Sequence, residues 1–139
     1  MQATVQLDGV QTGCVTGGVK TLLRLEGLAV LTAAVFLYWH AGFDWTEFAL
    51  LFLAPDLSFI AYLFGPRAGA AAYNGAHSTN GALGLAVAAV ALNQPMLIAV
   101  ALIWLAHIGF DRALGYGLKY GAGFGFTHLG RIGRTAQES

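Results

Sequence analysis

Two imidazoles and two carboxylates stand out in a chain with few ionisable side chains: Asp56, His77, His107 and Asp111. His107 and Asp111 are four residues apart in the stretch Trp104 to Tyr120, WLAHIGFDRALGYGLKY, so on a helix they share one face. Imidazole and carboxylate suit zinc, iron or manganese and can also relay protons, which makes the four residues candidate ligands of a divalent transition metal or an acid-base group. Glu26, Asn74 and Arg112 are the polar residues expected beside them, completing a pocket. The spacing matches no metalloenzyme signature, and no motif names a reaction. The same residues also admit a purely structural account, in which His107 bonds Asp111, Asp56 bonds Arg67 or Arg112, and His77 bonds a carbonyl, holding helices together.

Composition says what kind of element must carry these groups. Hydrophobic residues make up 57% of the 139 residues and charged residues 10%, against about 25% in ordinary soluble domains. Seven basic and seven acidic side chains cancel, so bulk charge makes no case for a nucleic-acid partner. The single cysteine, Cys14, excludes an intramolecular disulfide and any Cys-x-x-Cys motif. Residues 1 to 19 lack the succession of a removable signal peptide, which leaves targeting to membrane spans.

Four apolar runs are visible, predicting an all-α, four-helix transmembrane bundle with spans near 20–41, 45–64, 68–92 and 96–113. Residues 1–19 form a polar tail, 20–114 the membrane domain, and 115–139 a glycine- and aromatic-rich interfacial tail. Pro55 removes a backbone donor and predicts a kink beside Asp56. Ala72, Ala76, Asn80, Gly84 and Ala88 form a small-residue row that predicts the third helix to be the most enclosed. Tyr38, Trp39, Phe43 and Trp45 read as an interfacial aromatic belt. All seven basic residues fall on one side of these spans, which places both termini in the cytoplasm of an inner membrane. At about 1.5 Å per residue, Asp56 lies roughly 16 Å and His77 roughly 15 Å from Arg67, so the polar residues meet in the cytoplasmic half of the bundle. The glycine-rich segment 115–133 is expected across the mouth of that pocket, where Tyr116, Lys119 and His128 add polar contacts and His128 can fold back toward His107.

Several stretches, namely Leu51 to Asp56 (LFLAPD), Gly65-Pro66-Arg67, Tyr73-Asn74 with His77, Trp104 to Tyr120 and Thr127 to Gly133 (THLGRIG), resemble a family of small bacterial integral membrane proteins, domain-of-unknown-function family 4260. The resemblance runs from about Leu22 to Gly133 and implies a four-span membrane module. It implies no reaction. The residues therefore support a membrane protein whose His/Asp pocket binds a metal ion or small polar ligand. The alternative is a non-catalytic accessory subunit, or a homo-oligomer, packing within a larger membrane complex.

Overall fold

The buried face of the molecule is concentrated on one helix, because the run from Pro95 to Leu114 alternates bulky and small apolar residues that neighbours can approach from several sides. Ala99, Ala101, Leu102, Ile103, Ala106, His107, Ile108 and Gly109 are all buried there. The computed structural model describes residues 15–121 and 124–132. Among them are the helices α1 (Gly17–His40), α2 (Trp45–Leu51), α3 (Pro66–His77), α4 (Thr79–Ala91) and α5 (Pro95–Leu114). A 3-10 helix spans Ala54–Phe64, and a short antiparallel hairpin joins β1 (Phe126–Thr127) to β2 (Gly130–Arg131). Helix α5 is the axis: α1, α2 and α4 pack on it, while α3 packs on the 3-10 helix.

The chain is all-helical in character, and three stretches are long and apolar enough to cross a membrane: Gly17–His40, Trp45–Phe64 and Pro95–Leu114. Helix α4 is apolar but shorter. Large apolar side chains cover the outside, with Leu63 and Phe64 84% and 82% exposed and Leu22, Leu28, Leu50, Leu57 and Val87 also turned outward. A surface of this kind suits hydrocarbon rather than water.

Two of the four expected spans are interrupted. In the second, α2 ends at Leu51 and the chain re-forms as a 3-10 helix from Ala54. Pro55 has no N–H and its ring crowds the carbonyl four residues back, so the α-helix stops in front of it. Asp56 N–H instead bonds the Leu53 carbonyl at 3.0 Å. The 3-10 rise of about 2.0 Å per residue stretches this limb beyond what an α-helix of equal length would reach. The third run breaks at Ser78, whose backbone is extended (φ −82°, ψ 147°). Ser78, Thr79 and Asn80 form a cluster whose side chains compete with helical bonding.

That second break overturns the single small-residue row. Asn80, Gly84 and Ala88 are exposed, and Ala82 and Ala89 instead face the core. The most enclosed helix is α5, not the third run. Tyr38 also departs from the expected belt: it is fully buried at the end of α1, donates its hydroxyl to the Asp44 carbonyl and packs against Phe43, Trp45 and Phe48. Trp39 and Trp45 remain exposed. Helix α1 begins at Gly17, slightly before the expected boundary at 20, and residues 1–14 and 133–139 lie outside the described residues.

The register of α1 on α5 is set by two glycines. A Cβ on Gly109 would lie 2.5 Å from Leu31 N and 2.7 Å from the Gly27 carbonyl, and one on Gly27 would overlap the Arg112 side chain and backbone. Nothing lies within 4 Å of a Cβ placed on Gly84. Gly109→Ala is therefore expected to lower stability by about 1–3 kcal/mol, the usual cost of overpacking. Gly84→Ala should leave it unchanged or raise it by up to about 1 kcal/mol through helix propensity. Thermal unfolding of both variants in detergent measures the contrast, and equal behaviour would refute the close α1–α5 contact.

Candidate metal centre

Asp56 stands in the first turn of the 3-10 helix, His77 is the last residue of α3, and His107 and Asp111 lie one turn apart on α5. Two of the four positions are thus created by helix breaks and two by an unbroken helix. His77 Nε2 lies 3.1 Å from His107 Nε2, 3.2 Å from Asp56 Oδ1 and 3.5 Å from Asp111 Oδ2. His107 Nε2 lies 3.4 Å from Asp56 Oδ1 and 3.6 Å from Asp111 Oδ2. One potential ligand atom from each residue falls within 4.8 Å of all the others.

These separations carry chemical information. An ion with bonds of 2.0–2.1 Å to four tetrahedral ligands sets them about 3.3–3.4 Å apart; the five separations that involve an imidazole bracket that value, and the carboxylate pair lies within 4.8 Å. The proton count points the same way. His77 Nδ1 is 3.0 Å from the Tyr73 carbonyl, which can only accept, so that nitrogen carries the proton. In the neutral ring Nε2 is then a bare lone pair aimed at two carboxylates and a second imidazole, an arrangement in which acceptors outnumber donors. A backbone carbonyl fixing the far nitrogen is also how ligating histidines are held.

Around this quartet a second set of contacts holds the ligands in place. The Tyr73 hydroxyl donates to Asp111 Oδ2 at 3.4 Å, and the Tyr73 ring stacks on His77 with centroids 3.7 Å apart. The Phe52 ring meets His107 edge to face. His107 Nδ1 has no partner among the described residues. Arg112 Nη2 donates to the His77 carbonyl at 3.2 Å, occupying the acceptor freed where α3 ends. The histidine side chains are only 3% and 1% exposed, whereas those of Asp56 and Asp111 are 35% and 15% exposed, so access is from the carboxylate side. There a cavity of about 320 Å³ is lined by Asp56 and Asp111 together with Phe59, Tyr73, Lys119 and Phe124.

The cavity wall opposite the carboxylates is supplied by the segment after α5. Gly115, with φ +95°, closes α5 by directing its own N–H to the Arg112 carbonyl and that of Tyr116 to the Asp111 carbonyl. The chain then turns back over the bundle. Asn74 clamps it with two bonds, Nδ2 to the Lys119 carbonyl at 2.7 Å and Oδ1 from Lys119 N–H at 2.6 Å. Lys119 Nζ donates to the Phe124 carbonyl at 2.9 Å and lies 3.7 Å from the centroid of the Phe124 ring. Burial pushes its pKa below the usual lysine value, and the Asp111 charge pulls in the other direction.

Of the residues expected in the pocket, Asp56, His77, His107 and Asp111 converge, Arg112 braces His77 through its backbone, and Asn74 serves the covering segment. Glu26 does not join them: it is exposed on α1, one residue before the packed Gly27 and so rotated about 100° from the contact face. Asp56 pairs with the two histidines, and the expected Asp56–Arg67 or Asp56–Arg112 ion pair is absent among the described residues. His128 does not reach His107; its Nδ1 accepts the Leu118 N–H at 2.8 Å. Tyr73 was not singled out in the sequence except within the resemblance, although its position four residues before His77 is the signal that its carbonyl can reach the ring.

A family model described as Domain of unknown function (DUF4260) matches residues 20–132. No curated protein and no solved structure matches the chain.

His128 gives the covering segment a pH dependence. Burial first, then the Arg112 charge, hold its pKa below the usual value, so its protonation opposes docking. Stability from this group is complete above the unfolded pKa of about 6.5 and is lost as pH falls below it. Hydrogen-exchange protection at Leu118 N–H, corrected for intrinsic rates, should fall between pH 7.5 and 5.5 in the parent. In His128→Ala it should be low and flat, and a parent profile that is equally flat would refute the coupling.

Proposed function

We propose that this chain, which belongs to the DUF4260 family, is a multi-pass inner-membrane protein that holds one divalent transition metal between Asp56, His77, His107 and Asp111 and presents it to a small polar ligand from the cytoplasmic side. The observation that carries this reading is the convergence of two imidazole nitrogens and two carboxylate oxygens, with His77 Nδ1 on the Tyr73 carbonyl so that Nε2 of the neutral ring faces the quartet as a lone pair. A cation satisfies all of these acceptors together. Without thiolate, the donor set suits zinc, iron or manganese, and the four-coordinate spacing favours zinc. Such an ion would act as a Lewis acid on an oxygen ligand entering from the carboxylate side. The chain's own residues orient the imidazoles through Tyr73, keep the histidine side dry, and leave the cavity as the point of access.

The same geometry supports the membrane placement. The breaks at Pro55 and Ser78 would expose unpaired backbone to lipid if they faced outward, and irregular backbone at membrane depth is tolerated where it lines a protein interior or cavity. Both breaks flank the quartet. Arg24 Nε bonds the Ala113 carbonyl at 2.8 Å, and Val15 N–H bonds the His128 carbonyl, so the basic ends of the helices gather together. The positive-inside rule puts that end in the cytoplasm. Reporter fusions at Gly42 and Asn93 should both report the outside, and a cytoplasmic signal from either refutes this topology.

Elemental analysis of protein purified without chelator should find about one divalent metal per chain, with His107→Ala and Asp56→Ala losing it and His128→Ala retaining it. Re-addition of metal at a hundredfold excess over its Kd should stabilise the parent by about 2.7 kcal/mol. A parent chain that takes up none of zinc, iron or manganese ends the metal reading.

A further inference from the structure

Lys119 is a charge that the metal centre does not use. It is 4% exposed, yet no carboxylate lies within ion-pair distance of it among the described residues, and its one hydrogen-bond acceptor there is the Phe124 carbonyl. The rings of Phe124, Tyr73 and Phe59, with centroids 3.7, 4.8 and 5.8 Å from Nζ, hold the ammonium without neutralising it. Its backbone is locked by Asn74 on both sides, so the side chain is aimed by the fold rather than free to leave. Lys119 lines the same cavity as Asp56 and Asp111. A divalent ion there cancels the two carboxylates, which leaves the lysine as a buried positive charge facing the metal's accessible side with no compensating carboxylate among the described residues. An ammonium has three donors, and one of them is committed among the described residues.

We infer that the ligand is an oxyanion, a phosphate or carboxylate group, that places one oxygen at the metal and another on Lys119 Nζ. This rests on the metal reading above. Two groups across one cavity favour a ligand with geminal oxygens over a neutral alcohol or amine, because an anion can both join the four side chains as a fifth ligand and compensate the lysine. The apolar walls formed by Phe59, Phe124 and Ile132 leave room in a volume of about 320 Å³ for more than the oxyanion itself. A phosphate bound here comes either from free phosphate or from a lipid headgroup, and both present the same oxygens.

The full chain in detergent, loaded with cobalt in place of the native metal, gives a visible absorption spectrum that reports the ligands on the ion. Inorganic phosphate should shift that spectrum saturably with no loss of bound cobalt. Lys119→Met should bind cobalt with the parent spectrum but require about tenfold or more phosphate, the usual loss for a hydrogen bond to a charged group. Lys119→Arg, which keeps the charge, should stay closer to the parent, and Lys119→Gln replaces the methionine variant if that one takes up no cobalt. A parallel titration with phosphatidic acid micelles, against phosphatidylcholine as control, distinguishes the sources: a stronger response to phosphatidic acid identifies a headgroup, and a stronger response to phosphate the free ion. Cobalt uptake with no response to any anion, or equal affinity in parent and Lys119→Met, overturns the inference alone. No cobalt uptake overturns the metal reading and this inference with it.

Discussion

Four electron-rich atoms drawn within 4.8 Å of one another in a largely dry place are an electrostatic problem that the rest of the structure must resolve. Carboxylates and imidazole lone pairs repel at such distances, and burial removes the water that would screen them. The bond from His77 Nδ1 to the Tyr73 carbonyl removes one remedy, a proton on the facing nitrogen of the neutral His77 ring, and leaves that remedy to His107 alone. A cation at the centre turns the repulsion into four attractions. Under this reading the ion and the helix packing support each other, since each ligand helix contributes to a site that exists only when the helices are assembled.

The helix breaks belong to the same constraint. A regular second span would carry Asp56 along a continuous α-helical spiral, and a regular third run would leave the His77 carbonyl committed within its own helix. Pro55 and the Ser78 cluster end those helices at the depth of the site. The freed groups are taken up locally, the His77 carbonyl by Arg112 and the Asp56 amide by Leu53. Arg112 therefore serves packing and electrostatics at once, placing a positive charge near the quartet while it caps α3.

The covering segment follows a different logic, in which backbone rather than side-chain chemistry fixes position. Gly115 reverses the chain at the end of α5, Asn74 seizes Lys119 by its peptide groups, and the Thr127–Gly130 turn with the buried Leu129 ties the segment down. The Lys119 backbone is consequently held at the cavity by contacts that do not involve its charge, and the ammonium meets a carbonyl and aromatic rings rather than a carboxylate among the described residues. This is the arrangement expected where a side chain is kept available for something outside the chain.

The amino-acid sequence by itself determined the helical, apolar character of the chain, the shared face of His107 and Asp111, and the interruption at Pro55. Those follow from local rules: hydropathy over a window, the four-residue helical repeat, and a missing N–H. It also contained the four residues that meet, but not which of the seven polar candidates would meet. Glu26 is excluded because Gly27 and Gly109 fix the rotation of α1 on α5 and leave its neighbour outside, a choice made by backbone contact between segments far apart in the chain. The Ser78 break sits in an alanine-rich run where Ser78, Thr79 and Asn80 only weaken the helix locally, and the packing of α3 on the 3-10 helix and α4 on α5 accompanies the separation. Burial of Tyr38 and the placing of Lys119 over the cavity were likewise decided by tertiary structure, because an aromatic near a span end and a lysine in a glycine-rich tail have no local signal that distinguishes surface from interior.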